Sequence, residues 1–509
     1  MLVVQVDGRT LTLEAVDAVA RSDAPVELDP AARERIIRAC ETVDHLVAEG
    51  RPVYGVTTGF GRLAERPISE SGRGRLQVNL LRSHAAGTGA PLGVAEVRSL
   101  LLLRANALAG GHSGCRPEVV ERLLEFLNRH IHPAVPEVGS VGASGDLAPL
   151  AHLALPLIGE GWLLDPGGGE PRPAGDVLAE LALNPLTLQA KEGLALINGT
   201  QATTGLGLLA LLGAERALDQ LEVAGAITLE ALKGTPDAFD PAVHALRPHP
   251  GQIRSAEILH TLLAGSEIRE SHRHGDPRVQ DAYSMRCMPQ IHGAARNGLA
   301  YTRAVLETEV NSVTDNPLVF PDDARVISAG NFHAQVVSQA LDLLCIVVAD
   351  LVSVSERRIE RLLNPDLSGL PAFLAPEPGL QSGYMILQVT VADLLAEARG
   401  LATPASVDSV PTSAGQEDHV SMGMWAARKA RRATEILEVV VAAELLAGVQ
   451  ALEYRLPLRP SAPLVRARNL IREQVPVLTD DRPVSPDLEQ VRCLVKSGAL
   501  LPSRLLHLK

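Results

Sequence analysis

The sequence predicts a mainly α-helical protein: a long central helix bundle preceded by an N-terminal, mostly helical region. Three observations carry that expectation. Residues 332–363 contain no glycine or proline and would make one helix of roughly 48 Å. Residues 425–456, interrupted only by Gly448, and residues 200–232 read the same way. All three are apolar around much of their circumference, as helices in the middle of a large bundle are. Strand signals, by contrast, are sparse. No Pro/Gly-rich linker divides the chain, so residues 1–509 are read as a single unit, with an N-terminal region over approximately 1–200 and the long-helix region over 200–509.

At 46% hydrophobic and 21% charged residues the chain is globular in composition. Its formal net charge of -13 argues against nucleic acid or an anionic membrane as a partner. "MLVVQVDGRT" places Asp7 and Arg9 early and lacks the basic start of a signal peptide. The most apolar stretch, "LDLLCIVVADLVSV", is broken by Asp342 and Asp350, so no membrane span is expected. Cys40, Cys115, Cys287, Cys345 and Cys493 are scattered and form no CxxC pair. They fit a reducing cytoplasm, where the protein is expected to reside, better than a disulfide framework.

In chain order, "LVVQV" and "TLTL" would form a small hairpin across Asp7-Gly8. "VYGVTTGFG" sets Tyr54 in a glycine-rich turn, and "LLRSHAAGTG" carries Ser83 and His84. "PEVGSVGASGDLAPLAHLALPLIGEG", residues 136–161, opens with small residues that let a backbone bend tightly. Read alone, it is a loop feeding a helix N-terminus with Asp146 near the cap. "LDPGGGEPRPA", residues 164–174, is a surface excursion. "LINGTQ" holds Asn198 after an apolar run, and "VQDAYSMRCMPQIHG" offers Gln280, Tyr283 and Arg286. "SAGNFHAQ" has Asn331 and Phe332, and "PTSAGQEDHVSMG" has Glu417 and His419.

Common catalytic motifs fail. Around Ser144 the fifth position of a Gly-x-Ser-x-Gly elbow is Asp146, and there is no phosphate-binding Gly-Lys-Ser/Thr. "SHRHGD", with His272 and His274, lacks ligand spacing, so no metal site is expected. Nothing beside Lys191 or Lys233 would cradle a pyridoxal phosphate. What remains is a set of uncharged polar clusters, each of which alone could be a capping Asn, a satisfied His or a paired Tyr.

Together they resemble the aromatic amino acid ammonia-lyases, and among these the members acting on histidine. The resemblance runs from "YGVTTGFG" to "QEDHVSMG", with "GSVGASGDLAPLAH" its most specific motif. It implies a fumarase/aspartase-like architecture and the cyclisation of Ala143, Ser144 and Gly145 into a 4-methylideneimidazol-5-one group, with no external cofactor. The Gly145 nitrogen would attack the Ala143 carbonyl carbon, from which water is lost. A second water leaves Ser144, whose side chain becomes the methylidene. Only a sharply bent, uncrowded backbone brings those atoms together.

Such a group answers a chemical need. The β-proton of an amino acid is barely acidic and its amine leaves poorly. General acid–base catalysis supplies roughly 10²–10⁴-fold, and an electrophile that engages the amine divides the barrier. The resemblance implies Tyr54 and Tyr283 as acid/base groups and Arg286 as the partner of the substrate carboxylate. Asn198 and Phe332 would line and support the electrophile, with Gln280 close by and Met385 on the substrate ring. Members acting on phenylalanine or tyrosine tend to have Asn-Gln-Asp where this chain has Gln416-Glu417-Asp418, and to lack the Ser83-His84 pair. A carboxylate and an imidazole suit a ring with N–H groups, so histidine is the expected substrate, giving urocanate and ammonia. Glu417 would also serve as a proton acceptor. Gly415 stands where Asn is usual. The resemblance further implies a homotetramer whose sites are shared between subunits. A tyrosine or phenylalanine lyase, an aminomutase, and a non-catalytic scaffold of the same fold remain the alternatives.

Overall fold

The protein is described by a computed structural model covering residues 3–50, 54–59, 66–276 and 278–506. It divides into two compact units, each assembled from three stretches of chain. The first comprises residues 1–209, 303–341 and 404–428; the second comprises 210–302, 342–403 and 429–509. The long helices form where the sequence places them: Gln201–Ala231, Gln335–Leu363 and Gly423–Glu453. Each gives its N-terminal residues to the first unit and the remainder to the second.

In the first unit, helix Val94–Ala109 is buried from Val97 to Ala109 on every face. Helices Leu13–Ser22 and Pro117–Asn128 pack on it. The expected N-terminal hairpin does not form. Val4–Val6 pairs in parallel with Val26–Leu28, and the "TLTL" segment instead starts a helix. The cause is local. Asp7 Oδ1 accepts the N–H groups of Arg9 and Thr10 at 2.8 and 2.9 Å, and Thr12 caps Leu13–Ser22 by accepting from Ala15 N–H. Gly8, at φ +76°, docks so closely on Gly110 that a Cβ would lie 2.4 Å from its nitrogen. The excursion at 164–174 is a turn, exposed over residues 166–170, between the short paired strands Trp162–Leu163 and Arg172–Pro173.

The second unit is locked by buried charge. Arg358 grips Glu444 through two bonds of 2.6 and 2.8 Å, and Thr228 and Ser355 donate to the same carboxylate. One carboxylate thereby ties three long helices in register, and removing either ion would strand the other without water. Helix Gln335–Leu363 has a mean hydropathy of 1.9 over its most apolar window and is long enough to cross a membrane, contrary to the expectation from its aspartates. Yet 61% of that window is buried, as in a core helix, and its Asp342 pairs with Lys429 at 2.7 Å.

Candidate active site

The first unit contains an open cavity of about 670 Å³. Tyr54, Ser83, His84, Ser144, Asn198 and Glu417 are among its lining residues. Residues from five separate sequence clusters therefore meet in one space.

Ser144 is brought there by a contorted loop. Gly142 and Gly145 both adopt left-handed backbone, at φ +71° and +76°. A Cβ on Gly142 would sit 2.1 Å from Ser421 Oγ, and one on Gly145 would sit 2.3 Å from the Gly199 carbonyl oxygen. At Gly145 the obstruction is backbone and only glycine fits, while at Gly142 a Cβ would displace the Ser421 hydroxyl. Asp146 N–H donates to that same Gly199 carbonyl at 2.7 Å. Asp146 stands at the N-cap of helix Leu147–Ala154 but does not cap it with its side chain. The fully buried carboxylate instead accepts Thr203 N–H at 2.7 Å and Thr203 Oγ1–H at 2.9 Å, inside the first turn of Gln201–Ala231. It satisfies a second helix across space, as a remote N-cap. Burial pushes its pKa up to about 6, against the opposing pull of its hydrogen bonds from Thr203 and Ser140.

Asn198 ends the short helix Glu192–Ile197. Its carbonyl accepts from Arg104 Nη1 at 2.7 Å, and its Nδ2 donates to the Asn316 carbonyl at 3.3 Å. Among the described residues, the buried Oδ1 has no partner. A buried acceptor left unpaired is costly. Lys191 and Asp315, paired at 2.8 Å with no exposure, fix the neighbouring chain.

Glu417 extends one oxygen to Ser144, whose Oγ donates to Oε1 at 2.8 Å, while Thr412 Oγ1 donates to Oε2 at 2.6 Å. The turn between Thr412 and Glu417 runs through Ser413, Ala414 and Gly415, all left-handed. That conformation explains Gly415 where Asn is usual: these are the two residue types that tolerate it most readily. His84 Nδ1 lies 2.9 Å from the Leu80 carbonyl, which can only accept, so this nitrogen carries the proton. Nε2 is then an acceptor. Burial lowers the His84 pKa, with the Leu80 carbonyl and Glu417 pulling the other way, and favours this neutral form.

The remaining expected residues are placed as follows. Ala143 and Gly145 flank Ser144 in the loop. Phe332 is half-buried in the first unit but is not among the residues lining the cavity. Gln280, Tyr283, Arg286 and Met385 belong to the second unit. There Tyr283 is 70% exposed, with the Arg286 guanidinium 4.7 Å from its ring centroid. Sequence reasoning missed Thr412, Thr203, Arg104 and Ser140, the groups that hold Glu417, Asp146 and Asn198. Thr412 and Ser140 lie inside motifs already singled out. Nothing in a single sequence marks Thr203 or Arg104.

These residues fit a ring formed from Ala143-Ser144-Gly145. The left-handed Gly145 turn is closed to any side chain, Ser144 lines the cavity, and among the described residues the buried Asn198 Oδ1 is unpaired.

The family model for aromatic amino acid lyase matches residues 11–473. A histidine ammonia-lyase of Anaeromyxobacter dehalogenans is 55% identical over 97% of this chain and 98% of its own length. Among solved structures, histidine ammonia-lyase from Trypanosoma cruzi superposes with a TM-score of 0.92 at 42% identity, covering 99% of this chain and 95% of that one. Tyrosine aminomutase from Streptomyces globisporus gives a TM-score of 0.92 at 39% identity, covering 99% and 98%. The helical architecture is thus that of the fumarase/aspartase-like fold. Matched over nearly its whole length, the chain belongs to the aromatic amino acid lyase family.

Proposed function

We propose that this chain is a carbon–nitrogen lyase that deaminates L-histidine to trans-urocanate and ammonia, using a 4-methylideneimidazol-5-one group formed from Ala143, Ser144 and Gly145. The observation that carries the reading is that Glu417 and His84 share the cavity of Ser144. Two hydrogen-bond acceptors, Glu417 Oε1 and His84 Nε2, suit a ring bearing N–H groups and offer nothing to a phenyl ring. The 55% identity to a histidine ammonia-lyase supports the same substrate.

Once formed, the group supplies an electrophile for the substrate amine. Conversion of Ser144 also removes the hydroxyl that now donates to Glu417 Oε1. That oxygen becomes free to accept a substrate N–H or a proton, while Thr412 keeps the carboxylate oriented. Tyr54 is at hand as an acid/base group. Tyr283, Arg286, Gln280, Phe332 and Met385 take the roles implied by the family: acid/base, carboxylate binding, and support of the electrophile and ring.

A cytoplasmic homotetramer completes the proposal, with each site shared between subunits. Leu380, Ile386 and Val389 are 82%, 61% and 53% exposed within one short stretch of the second unit, an apolar surface of the kind subunit contacts cover. The test is ultraviolet absorbance of the product with histidine, tyrosine and phenylalanine offered separately. Urocanate from histidine alone is expected. Equal turnover of tyrosine, or a β-amino acid as product, would overturn the reading in favour of another lyase or an aminomutase.

A further inference from the structure

One side chain outside the cavity lining draws the loop bearing Ser144 shut. Ser140 Oγ accepts Gly142 N–H at 3.0 Å. Its own hydrogen is shared in a forked bond between Asp146 Oδ1 at 3.2 Å and the Gly145 carbonyl at 3.4 Å. A single hydroxyl thus touches the chain on both sides of Ala143-Ser144. Each limb is anchored in turn. Met422 N–H donates to the Val141 carbonyl at 2.9 Å, and Asp146 N–H donates to the Gly199 carbonyl at 2.7 Å. Among the described residues, the Gly145 N–H donates to no acceptor, so this nitrogen is not committed elsewhere.

We propose that Ser140 is a positioning residue for the self-modification of the chain: its hydroxyl holds the 142 and 145–146 limbs together so that the Gly145 nitrogen meets the Ala143 carbonyl carbon. The inference rests on the proposed reading of residues 143–145. In the step it favours, the Gly145 nitrogen forms a bond to the Ala143 carbonyl carbon and its proton passes to the carbonyl oxygen. That oxygen then leaves as water with the Ser144 amide proton, creating a C=N bond. Ser144 loses its Cα proton and its hydroxyl as a second water, creating the exocyclic C=C bond. No oxidant or outside reagent is needed. Ser140 gains and loses nothing; it reduces the freedom the loop must surrender before ring closure.

The experiment follows the mass of the peptide containing residues 143–145 at successive times after induction. The wild-type chain should become lighter by two waters. Ser140→Ala should accumulate that product roughly tenfold more slowly, the effect of losing about one hydrogen bond's worth of restraint. Ser140→Thr keeps a hydroxyl and should recover the wild-type rate. Circular dichroism and thermal melting of each variant separate this from loss of fold, and Ser140→Gly deletes the same group should the alanine variant not fold. Modification of Ser140→Ala at the wild-type rate overturns the proposal, including the case in which only its melting temperature falls. A wild-type chain at its encoded mass would instead sink the underlying reading of residues 143–145.

Discussion

Replacing Gly145 with alanine tests the loop geometry most directly, because two separate penalties apply there and only one at Gly168. Both glycines are left-handed, at φ +76° and +78°. Around Gly168 a Cβ would meet nothing within 4 Å, whereas at Gly145 it would lie 2.3, 2.7 and 2.8 Å from the O, C and N of Gly199. Left-handed backbone costs an alanine about 1–2 kcal/mol. A chain of this length unfolds with an entropy of about 1 kcal/mol per degree, so Gly168→Ala should lower Tm by about 1–2 °C. In Gly145→Ala the clash is with backbone, and relief requires the Gly199 peptide to retreat by about 1 Å. That movement breaks the 2.7 Å bond from Asp146 N–H. An orphaned buried donor adds about 1–3 kcal/mol, so the Tm should fall by roughly 2–5 °C in all. The displaced nitrogen should also leave residues 143–145 unmodified in the intact mass. A Gly145→Ala protein that melts with Gly168→Ala and is still lighter by two waters would refute the argument.

Asp146 gives a prediction in pH. Its folded pKa of about 6 lies above the ordinary 3.8, so the folded state holds this proton more tightly than the unfolded one. Its favourable contribution is therefore complete below pH 3.8 and lost as pH rises through about 6, a change of roughly 3 kcal/mol. Asp146→Asn cannot titrate, so its Tm relative to wild type should climb between pH 4 and 7; a constant difference across that range would contradict the burial argument. On the proposed function, Arg286→Ala should lower kcat/KM for every amino acid by a similar large factor, since a lost charge-assisted pair costs about 2–5 kcal/mol. Glu417→Gln should instead change the ratio of kcat/KM for histidine to that for tyrosine, a ratio in which a shared proton-transfer loss cancels. An unmoved ratio would remove the physical basis for histidine while leaving the lyase.

The helices were legible because periodicity and the absence of breakers act locally. Gln335–Leu363 and Gly423–Glu453 begin and end within three residues of the expected limits. The expected N-terminal hairpin fails for an equally local reason. "TLTL" alternates as a strand does, but Thr12 is an N-cap and Asp7 turns the chain with its own side chain before a hairpin can close. Strand propensity lost to capping, the commoner outcome when short polar residues precede an amphipathic segment. The parallel pairing of Val4–Val6 with Val26–Leu28 could not be read at all, because it depends on where the intervening helix places its far end.

The candidate site divides along a different line. Residues that would face a substrate, such as His84, Asn198 and Glu417, stood out only together, through the resemblance of their clusters to the aromatic amino acid ammonia-lyases; each alone could be an ordinary capping or core residue. Residues that hold them do not stand out, since a threonine or serine is ordinary at almost any position. Thr203 reaches Asp146 across 57 positions, and Arg104 reaches the Asn198 carbonyl across 94. Nothing near either one advertises the partner. Physically, these contacts matter because the loop bearing Ser144 turns left-handed at both Gly142 and Gly145, where glycine is free to take many other conformations, and the contacts select this one. Each turn is matched by a fixed anchor: Ser421 and Met422 against Val141-Gly142, Gly199 and Thr203 against Gly145-Asp146. All four anchors lie within two residues of the N-terminus of a long helix, Gln201–Ala231 or Gly423–Glu453. The bundle expected from the long uninterrupted helical stretches is therefore also what holds the loop bearing Ser144 bent, through the first turns of its longest helices.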